Sequence, residues 1–135
     1  MRIQEVPLNL VNQVWPHAER FIDSAMHYSG GDYTAEDARV LVSLGQWSLI
    51  VAVDEQNVIR GAATVSYFNR PHDRVALITA LGGRLVTSQE NAAQLFEIFR
   101  ANGAMTVEAA ARDDILRLWK KYGLELKYHI ISASL

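Results

Sequence analysis

Apolar residues along the chain switch between a three-and-four spacing and a spacing of two, and the expected elements follow from where the rhythm changes. Beginning near Asn9, Val11, Val14, Trp15, Ala18, Phe21, Ile22, Ala25 and Met26 fall on one stripe of a helix. Residues 2–6 before it read as a short strand, because Pro7 cannot donate to a ladder and pushes its predecessor toward extended backbone. Pro16 lies inside the helical stripe, which leaves two outcomes: a first turn that ends late enough to tolerate it, or a kink. Ser29-Gly30-Gly31-Asp32 then breaks the chain. Thr34 is placed to cap a second helix with Glu36 and Asp37 in its first turn, and Gly45 is placed to end it.

Trp47–Val53 (WSLIVAV) and residues 58–68 (VIRGAATVSYF) are β-rich runs joined by Asp54-Glu55-Gln56-Asn57, a polar link suited to an antiparallel hairpin. After Asn69-Arg70-Pro71-His72-Asp73, a third run at residues 74–81 completes a meander that stops at Gly82-Gly83. The small residues Gly61, Ala62 and Ala63 leave room for close packing or a bulge. A third helix over residues 88–102 carries Ala92, Leu95, Phe96 and Phe99 on one face and ends before Gly103. Residues 105–110 read as a strand. Asp113 or Asp114 is expected to cap a fourth helix with Ile115, Leu118, Trp119 and Tyr122 inward, Gly123 to close it, and residues 124–132 to alternate as a last strand. The predicted order is βααβββαβαβ, an α/β (α+β) domain.

Composition narrows the function classes. The 135 residues suit a single domain, 1–135, and a hydrophobic half with 21% charged residues suits a globular one. A net charge of -2 with scattered basic residues gives no stripe for nucleic acid. Cysteine is absent, which removes thiolate nucleophiles and Cys-ligated zinc. No apolar stretch approaches a membrane span and the N-terminus has no long apolar signal region, so a cytoplasmic protein is expected. His17, His27, His72 and His129 are widely spaced and match no metal-ligand pattern, so no metal site is expected. No G-x-S-x-G elbow points to a hydrolase.

The order of elements resembles the GNAT superfamily of N-acetyltransferases over nearly the whole chain. The residue-level echoes are Gly61-Ala62 in the hairpin's second strand, RVALITALGG before the third helix, Gly103 at that helix's end, and ILRLWKKYGLEL, similar to the family's closing helix, glycine and strand. In length and texture the chain is similar to small acetyltransferase-like proteins of tailed bacteriophages. The resemblance implies a mixed, mostly antiparallel sheet with helices on both faces, and acetyl-CoA as cofactor. It implies that the strand at residues 74–81 splays from its neighbour, with pantetheine in the cleft and pyrophosphate at the following turn. The implied cofactor-binding residues are Thr79, Ala80, Leu81, Gly82, Gly83, Arg84 and Ser88. The family's turn is Arg/Gln-x-x-Gly-x-Gly/Ala. Here the glycines of Gly82-Gly83-Arg84-Leu85-Val86-Thr87-Ser88 come earlier, and Arg84 would supply charge. Thr87-Ser88-Gln89-Glu90 also fits a capping box, whose Glu90 carboxylate would repel pyrophosphate, so the turn has two readings.

Amine acetylation needs a base for the ammonium proton and often an acid for the departing thiolate. In the family the acid is commonly a Tyr of the last helix. Trp119 holds the matching position here, and Tyr122 follows almost one turn later. Tyr122 as acid and Glu108 as base are the catalytic candidates, with His129 and Tyr67 as further bases. Each also has a structural reading, as a packing aromatic or a solvated strand residue. The acceptor would be a small-molecule or peptide amine. The rival class is a degenerate GNAT-fold protein with a structural or interaction role and a protein partner, in a phage for example. An enzyme would keep an open cleft between the fourth and fifth strands, whereas a degenerate protein would fill it with side chains. The charged link at residues 69–74 reads either as a partner-facing loop or as a solvated turn.

Overall fold

A computed structural model of the chain describes residues 1–27 and 31–135. The break expected at Ser29 and Gly30 lies outside the described residues.

The amphipathic stripes become helices where the sequence supplies their ends. A single 3-10 turn, Leu8–Leu10, leads into α1, Val11–Met26, which runs through Pro16 and buries Val11, Trp15, Ala18, Ile22 and Met26. Helix α2, Ala35–Ser43, opens with a capping box in which Thr34 Oγ1 accepts from the Asp37 amide and Asp37 accepts from the Thr34 amide. Helix α3 spans Gln89–Ala101 and α4 spans Asp113–Lys120. Gly45, Gly103 and Gly123 follow α2, α3 and α4 with positive φ, the backbone that lets a helix end turn away.

The strands are β1 (Arg2–Glu5), β2 (Trp47–Val53), β3 (Ile59–Asn69), β4 (Arg74–Gly83) and β5 (Thr106–Ala109), lying side by side in chain order. The first three pairings are antiparallel and β4 with β5 is parallel, so the sheet is mixed and mostly antiparallel, as expected. The hairpin at residues 54–57 is pinned by Asp54, whose Oδ1 accepts from the amides of Gln56 and Val58 at 2.9 Å, while Asn57 takes φ 61°.

Alternation along β2 divides the core. Leu49, Val51 and Val53 pack with α1 and α2 on one face, while Ile50 and Ala52 join Ile3, Ala63, Val65, Leu95, Phe99 and Trp119 on the face covered by α3 and α4. Helices therefore cover both faces, as the resemblance implies.

Three expectations are corrected. Residues 124–132 form no strand, since the segment takes part in no ladder. Helix α4 starts after Arg112, which makes no side-chain cap. Asp113 and Asp114 occupy its first turn, where carboxylates favour the helix dipole without capping it. Of its expected inward residues only Trp119 is buried, and Ile115 is exposed.

Candidate functional site

The site is set by one extra residue in β4. Ala80 pairs with Thr64 of β3 and Ile78 pairs with Val65, so Thr79 is unmatched and bulges. Its side chain pins the bulge: Thr79 Oγ1 donates to the Thr64 carbonyl at 3.0 Å, and the two hydroxyls meet at 2.7 Å. The bulge changes the phase of the strand. Ala76 and Ile78 lie in the core under α3 and α4, whereas Ala80 lies in the core under α1 and α2.

The parallel pairing of β4 with β5 ends at Ile78 and Ala109, immediately before the bulge. Beyond it, Ala80, Leu81, Gly82 and Gly83 remain paired to β3, and no strand among the described residues lies along the other edge of residues 79–83. An unpaired strand edge offers backbone donors and acceptors to an extended ligand. Pairing with β5 stops there because β5 itself ends at Ala109, which leaves a free edge on β4 beyond the bulge. Behind it, Leu85, Val86 and Trp119 are buried in the same cluster as Ile78, with Leu81, Ala109 and Tyr122 packed against them.

The glycines serve packing. A Cβ on Gly82 would collide with the Phe21 carbonyl of α1. A Cβ on Gly83, whose φ is 70°, would come within 2.5 Å of the Arg60 carbonyl and 2.6 Å of the Phe21 ring. They let α1 cross the end of the sheet in contact with the backbone. The Arg84 amide donates to the Arg60 carbonyl at 2.9 Å, which ties the turn to a second bulge where β3 leaves register with β2. The Arg84 side chain lines an open groove of about 710 Å³ with Arg20, Phe21 and Ser24 of α1 and Arg60. Arg60 is held by Asp54 at 2.8 Å.

Ser88, not Thr87, caps α3. Ser88 Oγ accepts from the Asn91 amide at 3.1 Å, and Thr87 Oγ1 accepts from the Asn91 side chain at 3.1 Å. The capping box read at Thr87 and Glu90 is thus replaced by a Ser88 cap. Gln89 and Glu90 occupy the first two helical positions, whose amides have no partner within a helix.

Glu108 is at the centre of a charged network. Arg70 donates to Glu108 at 2.7 Å and to both oxygens of Asp73 at 2.8 and 2.6 Å. Lys127 reaches Glu108 at 3.1 Å, and the Thr106 hydroxyl donates to Asp73 at 2.8 Å. Burial pushes the Glu108 carboxyl upward, but the bonds from Arg70 and Lys127 outweigh it and hold the pKa below its ordinary value. Asp73 is held well below the carboxylate range by Arg70 and then Thr106. Both acids bind protons more weakly folded than unfolded, so the stability they lend is complete above the ordinary carboxylate pKa and fades as pH falls through the depressed values. The expected result is that Arg70→Ala lowers the urea midpoint clearly at neutral pH, and that its gap from wild type narrows as pH falls below about 4. A gap independent of pH would show that the network lends no such stability.

The other candidates separate by environment. Tyr67 has its hydroxyl buried without a hydrogen bond among the described residues, and burial, then Glu5, push its pKa up to about 12. It packs edge-on against Phe99 with Arg74 over its ring, the surroundings of a packing aromatic. Tyr122 is half-buried just past α4, and its amide donates to the Trp119 carbonyl at 3.0 Å. His129 is exposed in the segment after Gly123. Val107 and Ala109 face the cluster that holds Tyr122, and by strand alternation Glu108 faces the other way. The fold therefore does not bring the two catalytic candidates together: Glu108 and Tyr122 lie on opposite faces of β5. Sequence reading found Glu108 and the dense charge of residues 69–74 but did not join them. Arg70 and Glu108 are 38 positions apart, and only the β4–β5 crossover brings them together. No group of three metal-ligating side chains occurs among the described residues. No helix there is long and apolar enough to cross a membrane.

No family profile matches the sequence, and no curated protein does. Solved structures do match in fold. A probable acetyltransferase aligns with a TM-score of 0.70 at 14% identity, over 100% of this chain and 97% of its own. An aminoglycoside acetyltransferase from an uncultured soil metagenomic sample, in complex with sisomicin, aligns at 0.71 and 14%, covering 99% and 94%. A ribosomal-protein-alanine N-acetyltransferase from Brucella melitensis biovar Abortus 2308 aligns at 0.70 and 9%, over the full length of both chains. The fold is GNAT-like.

Proposed function

We propose that the chain is an acetyl-CoA-dependent N-acyltransferase acting on a small-molecule or peptide amine in the cytoplasm, where acyl-CoA thioesters are available. The observation that carries this reading is the free edge of residues 79–83, which continue from the Thr79 bulge past the end of β5.

The residues present fit the cofactor at this edge. The backbone of Thr79, Ala80 and Leu81 would meet the pantetheine amides. Ser88, the first amides of α3 and Arg84 would face the phosphates. Gly82 and Gly83 would act indirectly, by seating α1 against the turn. Acetyl-CoA, when bound, supplies an acyl thioester with a thiolate leaving group. Glu108 is the candidate base, and it would have to release Arg70 and Lys127 to take the proton of the incoming ammonium, because their bonds stabilise its carboxylate. Tyr122 lies on the opposite face of β5 from Glu108 and would not reach the same tetrahedral carbon, so the thiolate would leave without a proton from it.

Calorimetry with CoA and thiol release against an amine panel test the reading. Glu108→Gln is expected to lower kcat by about 100-fold while CoA binding persists. No heat at about 1 mM CoA would remove the cofactor assignment.

A second reading draws on a different observation. Trp119, Leu85 and Val86 are buried in one cluster with Ile78, and indole cannot protonate a thiolate. In this reading the fold has lost catalysis and serves as a structural or interaction component, of the kind a small bacteriophage protein supplies. Absence of both CoA binding and thiol release would leave this reading.

A further inference from the structure

Arginines from α1, β3 and the turn after β4 meet at the end of the sheet, and the backbone brings them there. Arg60 is the unmatched residue of the β3 bulge, because Ala52 pairs with Gly61 and Val53 with Ile59. Arg84 follows Gly83, and its amide bond to the Arg60 carbonyl keeps the two residues side by side. Arg20 comes from α1, next to Phe21, whose carbonyl rests against Gly82. Ser24 stands one turn further along the same helix face. All four line the open groove of about 710 Å³, a size usual for sites that take small molecules.

The positive charge in this groove is not balanced. Asp54 is the carboxylate that lines it among the described residues, and both its oxygens are occupied. Oδ1 accepts from the Gln56 and Val58 amides, and Oδ2 accepts from Arg60 Nε at 2.8 Å. Asp23, also on α1, stands 3.8 Å from His27. Arg20 lies over the Phe21 ring at 4.6 Å, and among the described residues neither Arg20 nor Arg84 has an ion pair. Like charges gathered without a counter-ion work against stability, a cost that proteins keep where a ligand completes the site.

We propose that the groove is an anion site for a ligand of phosphate chemistry, held by Arg20, Arg60 and Arg84. A guanidinium is planar and permanently charged, and its paired donors match phosphate oxygens two at a time. Ser24 adds a hydroxyl donor. No described residue of α3 lines the groove, so Arg20, Arg60 and Ser24 extend anion recognition to α1 and β3. Two sources carry this chemistry: a phosphate of the CoA nucleotide, or a separate phosphorylated metabolite. The first source rests on the acyltransferase reading, and the second does not.

Calorimetry on the full chain with inorganic pyrophosphate tests the site, at about 20 mM salt so that exposed charges are little screened. The wild-type chain is expected to bind with a Kd of about 1 mM or below. Arg20→Gln is expected to weaken binding about tenfold, as the loss of one charged hydrogen bond would. Arg39→Gln removes the same charge from α2 and is expected to change nothing. Both side chains are exposed, so both variants should melt like wild type. CoA then separates the sources. CoA that displaces pyrophosphate, and that itself binds about tenfold more weakly to Arg20→Gln, puts the coenzyme's nucleotide in the groove. Arg20-dependent pyrophosphate binding that CoA does not displace assigns the groove to a separate metabolite. Absence of heat with pyrophosphate up to about 10 mM, or equal weakening by Arg20→Gln and Arg39→Gln, overturns the inference. Absence of CoA binding while pyrophosphate binding persists overturns the acyltransferase reading and leaves the anion site standing.

Discussion

Gly82→Ala is expected to destabilise the fold by about 3 kcal/mol and to lower the melting temperature by roughly 12 °C. The added methyl would overlap the Phe21 carbonyl of α1, and that atom is backbone within a helix, so no side-chain rotation relieves it. Either α1 lifts from the end of the sheet or β4 shifts from β3. Both open the core where Ala80 and Ala62 meet the helix. Thermal unfolding monitored by circular dichroism checks the value. A variant that melts like wild type while losing CoA binding would assign Gly82 to the ligand instead of to α1. The same experiment therefore weighs the phosphate-cradle reading of the glycine pair against the packing reading.

Trp119→Ala should cost about 3–5 kcal/mol, the range for truncating a large buried aromatic. Trp119 is 4% exposed and is the only buried residue of α4, so it alone pins that short helix to the core of Ile78, Leu85 and Val86. Its carbonyl also accepts the amides of Tyr122 and Leu124, which fix the turn after the helix. Denaturant unfolding measures the loss, and amide exchange across α4 shows whether this helix opens first. A cost below about 1 kcal/mol would mean that α4 is held by something other than the indole. Trp119→Phe, which keeps an aromatic body, is expected to recover most of the stability.

Most of the fold was legible because most elements announce themselves by period and by their ends. The stripe from Val11 to Met26, the alternation of WSLIVAV and the Thr34 cap each needed only local chemistry. What stayed hidden depends on partners distant in sequence. The Thr79 bulge lies within RVALITALGG, whose two glycines come three and four residues later, so no Gly, Pro or Asn marks the extra residue itself. The same run showed its glycines plainly, but their use is set by Phe21, some 60 positions earlier. Ser88 and Thr87 are equally good caps on paper, and the Asn91 side chain, by engaging Thr87, leaves Ser88 to take the amide. Residues 124–132 failed for the opposite reason. Their alternation suggests a strand, but alternation alone forms no ladder, and the segment pairs with no strand among the described residues. Glu108 was found by residue type alone, and its ties to Arg70 and Lys127 came only with the fold.

The bulge can also be considered as a matter of reading frame. A regular strand reads its residues alternately to the two sides of a sheet, and one unmatched residue moves everything downstream into the other frame. In β4 the frame changes at Thr79, so the same strand addresses α3 and α4 through Ala76 and Ile78 and then α1 through Ala80. A one-residue deletion that removed the offset would restore regular pairing only by shifting either the residues before Thr79 or those after it. The Gly82 and Gly83 contacts with Phe21 and Arg60 restrict the latter choice, because those positions tolerate no side chain. The offset is thereby held on its downstream side by glycines whose roles concern packing, so a change in any ligand site would leave the bulge in place.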